Sequence, residues 1–319
     1  MSLPIDPIEL VDPALREGLA LLPALDFSKV GLPEVRQALA AMRLAEPPPA
    51  GALMPEERFA PGPAGRQVRI LVWRTPGATG PLPAVLHMHG GGYVLGSPDF
   101  GEENHRALVE TLPCMVVAVQ YALAPEQPHP QPVEDCYTAL RWMSENAAEL
   151  GIDRARIGVS GVSAGGGLAA ALALLARDRG EIPLAFQHLI YPMLDDRTCT
   201  AEDPHPHTGH WCWNNDSNHF GWSALLGVPP GSEGVSPYAA PARATDLAGL
   251  PPTYLSVGML DLFLEENLEY ARRLSRAAVP VELHAYPGAY HSFDNFGDVP
   301  VAAQARRDNN EALMRFLRG

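Results

Sequence analysis

Four stretches of this 319-residue chain carry groups suited to acyl transfer. The first is Gly161-Val162-Ser163-Ala164-Gly165, a G-x-S-x-G pattern centred on a serine. Glycines two before and two after it let the backbone turn sharply and hold Oγ up in a strained position, the arrangement of a nucleophile elbow. A serine hydroxyl is a weak nucleophile until a base takes its proton and a third group orients that base. Asp261, after the apolar run Thr253 to Val257, and His291, within Tyr286 to Phe293, follow in the required order. Asp195, Asp196, Asp246 and Glu265 are alternative acids, none after so clean a run. The other histidine beyond Asp261, His284, falls inside a strand-like stretch where a core or sheet-edge role is expected. Upstream, His89-Gly90-Gly91-Gly92 brings unshielded N–H groups close to a ligand, as a developing oxyanion requires. A glycine-rich turn before a core helix would explain the serine pattern alone, but not all four stretches in this order.

These residues need elements to present them. Ile157-Gly158-Val159 reads as a strand entering the elbow, and Gly166 to Leu175 as a helix apolar on nearly every face, hence buried. Val68–Trp73, Ala84–Met88 and Met115–Val119 are near-continuous apolar runs, as expected of strands covered on both faces. Further strands are expected at Leu184–Ile190, Thr253–Val257 and Val281–Tyr286, with helices at Val133–Trp142, Glu265–Leu274 and Val301–Leu317. Such alternation implies a mostly parallel sheet with functional residues at the carboxyl ends of its strands. Near the start, Asp12-Pro13 opens a helix running from Ala14 to Leu22. A second begins near Pro33, with Val35, Leu39 and Met42 on one face, and ends before the connector Pro47-Pro48-Pro49. Asp195 to Thr245 interrupts the alternation. It is polar, rich in His, Trp, Pro and Asn, and an insertion of that size is most often a lid.

Composition removes several classes of function. A formal charge of −14 argues against nucleic acid or an anionic membrane as partner. With 46% hydrophobic and 19% charged residues the chain is a globular one, not a disordered one. Cys114, Cys136, Cys199 and Cys212 form no C-x-x-C pair, so reduced thiols and a cytoplasmic location are expected, a Cys199–Cys212 bridge being the less favoured state. Met1 to Pro7 lacks the basic start and apolar core of a signal peptide. The longest aliphatic run, Leu168 to Ala176, is too short to span a bilayer. His205, His207 and His210 with Asp203 match no defined metal spacing and are expected on a solvated surface; no metal or cofactor is expected. Tyr93, Trp213 and Phe220 are expected to touch substrate. The competing role for Trp211, Trp213, Phe220 and Trp222 is packing the insertion onto the body.

Together, His89 to Tyr93, Tyr121 to Glu126, Gly161 to Gly166, Gly258 to Phe263 and Pro287 to Phe293 resemble the hormone-sensitive-lipase-like family of bacterial carboxylesterases. Within it the chain is most similar to the heroin-esterase-like, short-acyl branch. The resemblance covers roughly residues 60 to 319 and implies an α/β-hydrolase fold, a mostly parallel eight-stranded sheet with a helical cap. On that reading 1–55 are N-terminal cap helices, 56–194 and 246–319 the catalytic domain, and 195–245 the cap insertion. It implies a serine carboxylesterase acting on short- to medium-chain acyl esters. Ser163 would be the nucleophile, His291 the base, Asp261 its orienting acid, and the N–H groups of Gly91, Gly92 and Ala164 the oxyanion donors. The implied partner is a small ester, with a homodimer as a further expectation. The chain departs from the family at Val162, where an acidic or polar residue is usual, and at Ala122, where arginine is. It departs again at Leu262-Phe263, often Pro-Leu, and at Ser292, often glycine. Two other readings stay open: a ligand-binding module on the same fold, as in plant gibberellin receptors that lack the histidine, and an amidase or peptidase using the same three residues.

Overall fold

The computed structural model describes residues 6–21, 31–45, 48–297 and 299–319. Helices α1 (Pro7–Leu10) and α2 (Leu32–Ala45) precede strands β1 (Glu56–Pro61), β2 (Gln67–Arg74) and β3 (Leu82–Met88). The glycine stretch then leads to α3 (Glu102–Thr111), β4 (Met115–Val119), α4 (Gln131–Glu145) and α5 (Ala147–Leu150). Strand β5 (Ile152–Val162) runs into α6 (Ala164–Arg179), followed by β6 (Gln187–Ile190) and α7 (Asn215–Leu226). The chain closes with β7 (Thr253–Gly258), α8 (Leu264–Arg276), β8 (Val281–Tyr286) and α9 (Pro300–Arg318).

The eight strands form one sheet in the order β1-β2-β4-β3-β5-β6-β7-β8. β2 is antiparallel to β1 and β4, and the remaining pairs are parallel. Alternate residues of the central strands face opposite layers. Leu86, Val117 and Val159 join Leu140 of α4 and Leu168 and Leu172 of α6 in the main core. Val85, Val116 and Phe186 meet Leu313 and Leu317 of α9 on the other face. That double burial explains the unbroken apolar runs, since water reaches neither side.

Two local expectations need correction. Asp12 does cap its turn, accepting from the Ala14 N–H at 2.9 Å, but it opens a pair of 3₁₀ turns, Pro13–Leu15 and Glu17–Leu21, not one helix. Gly18 lies in the second of them, and a Cβ there would come within 2.9 Å of the Phe296 ring. A small residue suits this packing and weakens the helix it interrupts. Strand β1 is not among the strands expected from the apolar pattern, because only Ala60 of its six residues is buried. Met1–Ile5, Leu22 and Pro47, on which the expectations for the signal peptide, the first helix and the connector rest in part, lie outside the described residues.

The segment between β6 and β7 is clasped at its base. Asp196, fully buried at its start, receives both Arg243 Nε and Nη2 at 2.8 Å from near its end, and the Gly231 N–H at 2.7 Å. This carboxylate is therefore committed to an ion pair, which removes it from the alternative acids. Asp196→Ala leaves the mostly covered Arg243 cation without its partner, a change that costs about 3–5 kcal/mol. A clear fall in the thermal unfolding midpoint is expected, and a midpoint equal to wild type would show that the clasp is idle.

Candidate active site

Ser163 sits between β5 and α6 with φ +56° and ψ −122°, a strained backbone for a residue with a side chain. The flanking glycines have a steric reason. A Cβ on Gly161 would lie 2.1 Å from the Gly165 carbonyl oxygen, and one on Gly165 would lie 2.2 Å from that of Met88. The elbow is thus pressed directly onto the end of β3. Val162 points its half-buried isopropyl group at the apolar cluster of Ile190, Tyr191 and Tyr254.

The structure brings the three distant residues together. His291 Nε2 is 3.0 Å from Ser163 Oγ, and His291 Nδ1 is 2.7 Å from Asp261 Oδ2. Asp261 is fully buried in the turn after β7, and its Oδ1 accepts the Phe263 N–H at 2.9 Å. An ionised carboxylate only accepts, so the proton of this imidazole belongs on Nδ1, leaving Nε2 to accept from the serine. Ser163 and His291 are 7% and 4% exposed, so this hydrogen-bonded chain is largely screened from water. The arrangement can deprotonate the hydroxyl and return the proton to a leaving group.

The glycine loop after β3 faces the same point. Gly91, Gly92 and Tyr93 all have positive φ, at 122°, 57° and 66°. Gly90 approaches the elbow so closely that a Cβ there would be 3.1 Å from the Val162 carbonyl oxygen. Ala164 opens α6, so its N–H is among the donors that a helix start leaves without an intrahelical acceptor, at the positive end of the helix dipole. His89 braces the loop from behind. Its Nδ1 is 2.8 Å from the Gly90 carbonyl oxygen and its ring stacks on Tyr121 at 4.2 Å. Burial pushes its pKa down to about 4, so it is a neutral support.

The residues expected to touch substrate sit differently. Tyr93 is fully buried, its hydroxyl donates to the Met193 carbonyl at 2.8 Å and its ring packs on Trp222. It braces the loop and presents no surface to a substrate, which corrects the expectation. Trp213 is 4% exposed; its Nε1 donates to Asn218 Oδ1 at 3.1 Å, and its ring lies over Gly92, where a Cβ would meet it at 2.1 Å. Phe220 packs beside Val35, Val94, Leu95 and Ala124, joining α7 to α2 and the loop. Among the described residues no group of three or more His, Cys, Asp or Glu is gathered as a metal site. His210 instead rests on the Trp211 ring at 5.5 Å. The four cysteines are free, and His284 lies on β8 2.9 Å from Glu282 Oε1.

Two aromatic contacts of His291 are not assigned from the sequence. The Tyr191 ring lies 4.8 Å from the imidazole centroid at 67°, and the Phe263 ring 5.1 Å from it at 86°. Tyr191 donates its hydroxyl to Asp294 Oδ1 at 2.7 Å. Burial pushes the Tyr191 phenol well above its ordinary range and the Asp294 carboxyl upward too.

Sheet order, the strand-to-helix turn at Ser163, the glycine loop and the Ser163–His291–Asp261 chain are arranged as in a hydrolase of the α/β type. Residues 85–295 match the model of a family described by the alpha/beta hydrolase fold, and the chain belongs to that family, among its hormone-sensitive-lipase-like carboxylesterases. Carboxylesterase NlhH of Mycobacterium tuberculosis is 35% identical over 96% of this chain and 96% of its own length. Esterase LipI of the same species is 34% identical over 97% and 96%. A bacterial heroin esterase superposes with a TM-score of 0.91 at 38% identity, covering 98% of this chain and 100% of that one. Among the described residues no helix is long and apolar enough to cross a membrane.

Proposed function

We propose that this protein hydrolyses short- to medium-chain carboxylic esters through an acyl-enzyme on Ser163. The observation that carries the reading is the continuous chain from Asp261 Oδ2 through His291 to Ser163 Oγ, at 2.7 and 3.0 Å, on a strained elbow. His291 Nε2 takes the hydroxyl proton as Oγ attacks the ester carbonyl. The oxygen that becomes negative is held by the N–H groups of Gly91, Gly92 and Ala164; one such donor is worth about 3 kcal/mol of barrier. Collapse expels the alcohol, which takes the proton from His291. Water then attacks the acyl carbon as His291 takes its proton; collapse breaks the bond to Ser163 Oγ, which recovers its proton from His291, and the acid leaves. Asp261 keeps the proton on Nδ1 and stabilises the imidazolium at both stages. Residues 195–245 act with the N-terminal helices as a cap, and the contacts of Trp213 and Phe220 with the glycine loop and α2 support that role.

The low exposure of Ser163 and His291 and the indole over Gly92 favour small acyl groups. Across p-nitrophenyl esters from acetate to hexadecanoate, kcat/KM should be highest at the short end and fall steeply for the long chains. Equal rates on acetate and hexadecanoate would refute the chain-length assignment. A rate insensitive to acid would refute the base, because a protonated imidazole cannot accept the serine proton.

A further inference from the structure

We infer that Asp294, acting through the phenol of Tyr191, is a positioning residue for His291, locking the plane of the imidazole between Ser163 and Asp261. The inference rests on the reading of these three residues as the catalytic set. Hydrogen bonds at Nδ1, which donates, and Nε2, which accepts, fix two points of the ring and leave it free to tilt about the line joining them. Two aromatic rings oppose the tilt. Phe263 belongs to the same turn as Asp261, to whose Oδ1 its own N–H donates, so it moves with the acid. Tyr191 comes from a different place, the end of β6, and therefore supplies independent support.

Tyr191 is held there against its own preferences. Its φ of +34° is costly for a bulky side chain and persists only where surrounding contacts impose it. Two hydrogen bonds do so. The Tyr191 N–H donates to the Ser256 carbonyl at 2.6 Å, and the phenol donates to Asp294 Oδ1 at 2.7 Å. Asp294 stands three residues beyond His291 in the same loop, and Arg306 Nη1 donates to its main-chain carbonyl at 2.6 Å. The loop thus closes a ring of contacts from His291 to Asp294, across to Tyr191, and back to the face of the imidazole. Nothing in this ring needs the charge of Asp294; it needs an acceptor at Oδ1.

Steady-state kinetics of Tyr191→Phe, Asp294→Ala and Asp294→Asn test it on p-nitrophenyl acetate. Misplacing a catalytic group slightly lowers turnover without touching substrate binding, so Tyr191→Phe and Asp294→Ala should each lose about tenfold in kcat at an unchanged KM. Asp294→Asn keeps an acceptor oxygen and should retain the wild-type kcat. The low-field proton signal of the His291–Asp261 hydrogen bond, followed by NMR, should broaden in Tyr191→Phe and stay sharp in Asp294→Asn. Unchanged kcat in Tyr191→Phe overturns the inference, as does a loss in Asp294→Asn equal to that in Asp294→Ala. If Asp294→Ala does not fold, Tyr191→Phe, which deletes a single oxygen, decides alone. His291→Ala in the same assay separates the two levels of the reading: wild-type activity there would sink the catalytic set itself, whatever the Tyr191 result.

Discussion

Ser163→Ala should abolish ester hydrolysis, lowering kcat by about 10⁶-fold, while the protein stays folded. Both halves of this expectation come from the elbow. In the proposed mechanism Oγ is the atom that bonds to the acyl carbon, and the described hydrogen bond to His291 Nε2 is from this hydroxyl, so no neighbour is placed to take over. The residual rate would be what the donor loop and binding supply without a nucleophile. Stability should survive because the Ser163 side chain makes no cap hydrogen bond to α6, even though it occupies that helix's N-cap position. Its single described side-chain bond is to His291. Alanine tolerates φ +56° no worse than serine does, so the strain is unchanged. The check is p-nitrophenyl acetate turnover beside a thermal melt of both proteins. Turnover above about a thousandth of wild type, with the melt unchanged, would mean that another group attacks the ester.

Residues whose role depends on strand ends are readable in the chain, and residues whose role depends on contacts are not. Met115–Val119 and Val281–Tyr286 are strands with the bounds expected from the sequence; for the first, an unbroken apolar run, burial on both faces writes itself directly into the residue types. Ser163, Asp261 and His291 come just after such runs, so their positions and order point to one site. β1 leaves no mark because its main-chain pairing with β2, not side-chain burial, makes it a strand. α7 is hidden for a different reason. Its Gly221 interrupts the helical pattern, and the structure shows why it is there: a Cβ would lie 2.7 Å from the Gly92 carbonyl oxygen. The helix gives up propensity so that it can touch the donor loop. Tyr93 misleads because adjacency to the glycines suggests contact with substrate, whereas its side chain turns inward to Met193. Tyr191 and Asp294 stand 103 residues apart and acquire meaning only when β6 and the loop after β8 meet.

Asp261→Asn should be nearly as damaging as loss of the serine, with kcat lower by about 10⁴-fold and the backbone unmoved. The reason lies in which hydrogen bond each oxygen of Asp261 makes. Oδ1 accepts the Phe263 N–H and Oδ2 faces His291 Nδ1. An asparagine must keep its carbonyl oxygen toward the Phe263 N–H, since turning the amide around would set two donors against each other in a fully buried site. Its NH₂ group then faces Nδ1 and donates to it. The imidazole proton is forced onto Nε2, where it meets Ser163 Oγ as a donor and can no longer accept the hydroxyl proton. The neutral amide also fails to stabilise an imidazolium. Substrate binding involves neither group, so KM should hold while kcat falls. Nitrogen-15 NMR of His291 would show the proton moved from Nδ1 to Nε2. A variant that turns over within about tenfold of wild type, with the proton still on Nδ1, would remove Asp261 from the catalytic set. The choice of acid would then pass to Asp294, which stands three residues beyond His291 and accepts from the Tyr191 phenol.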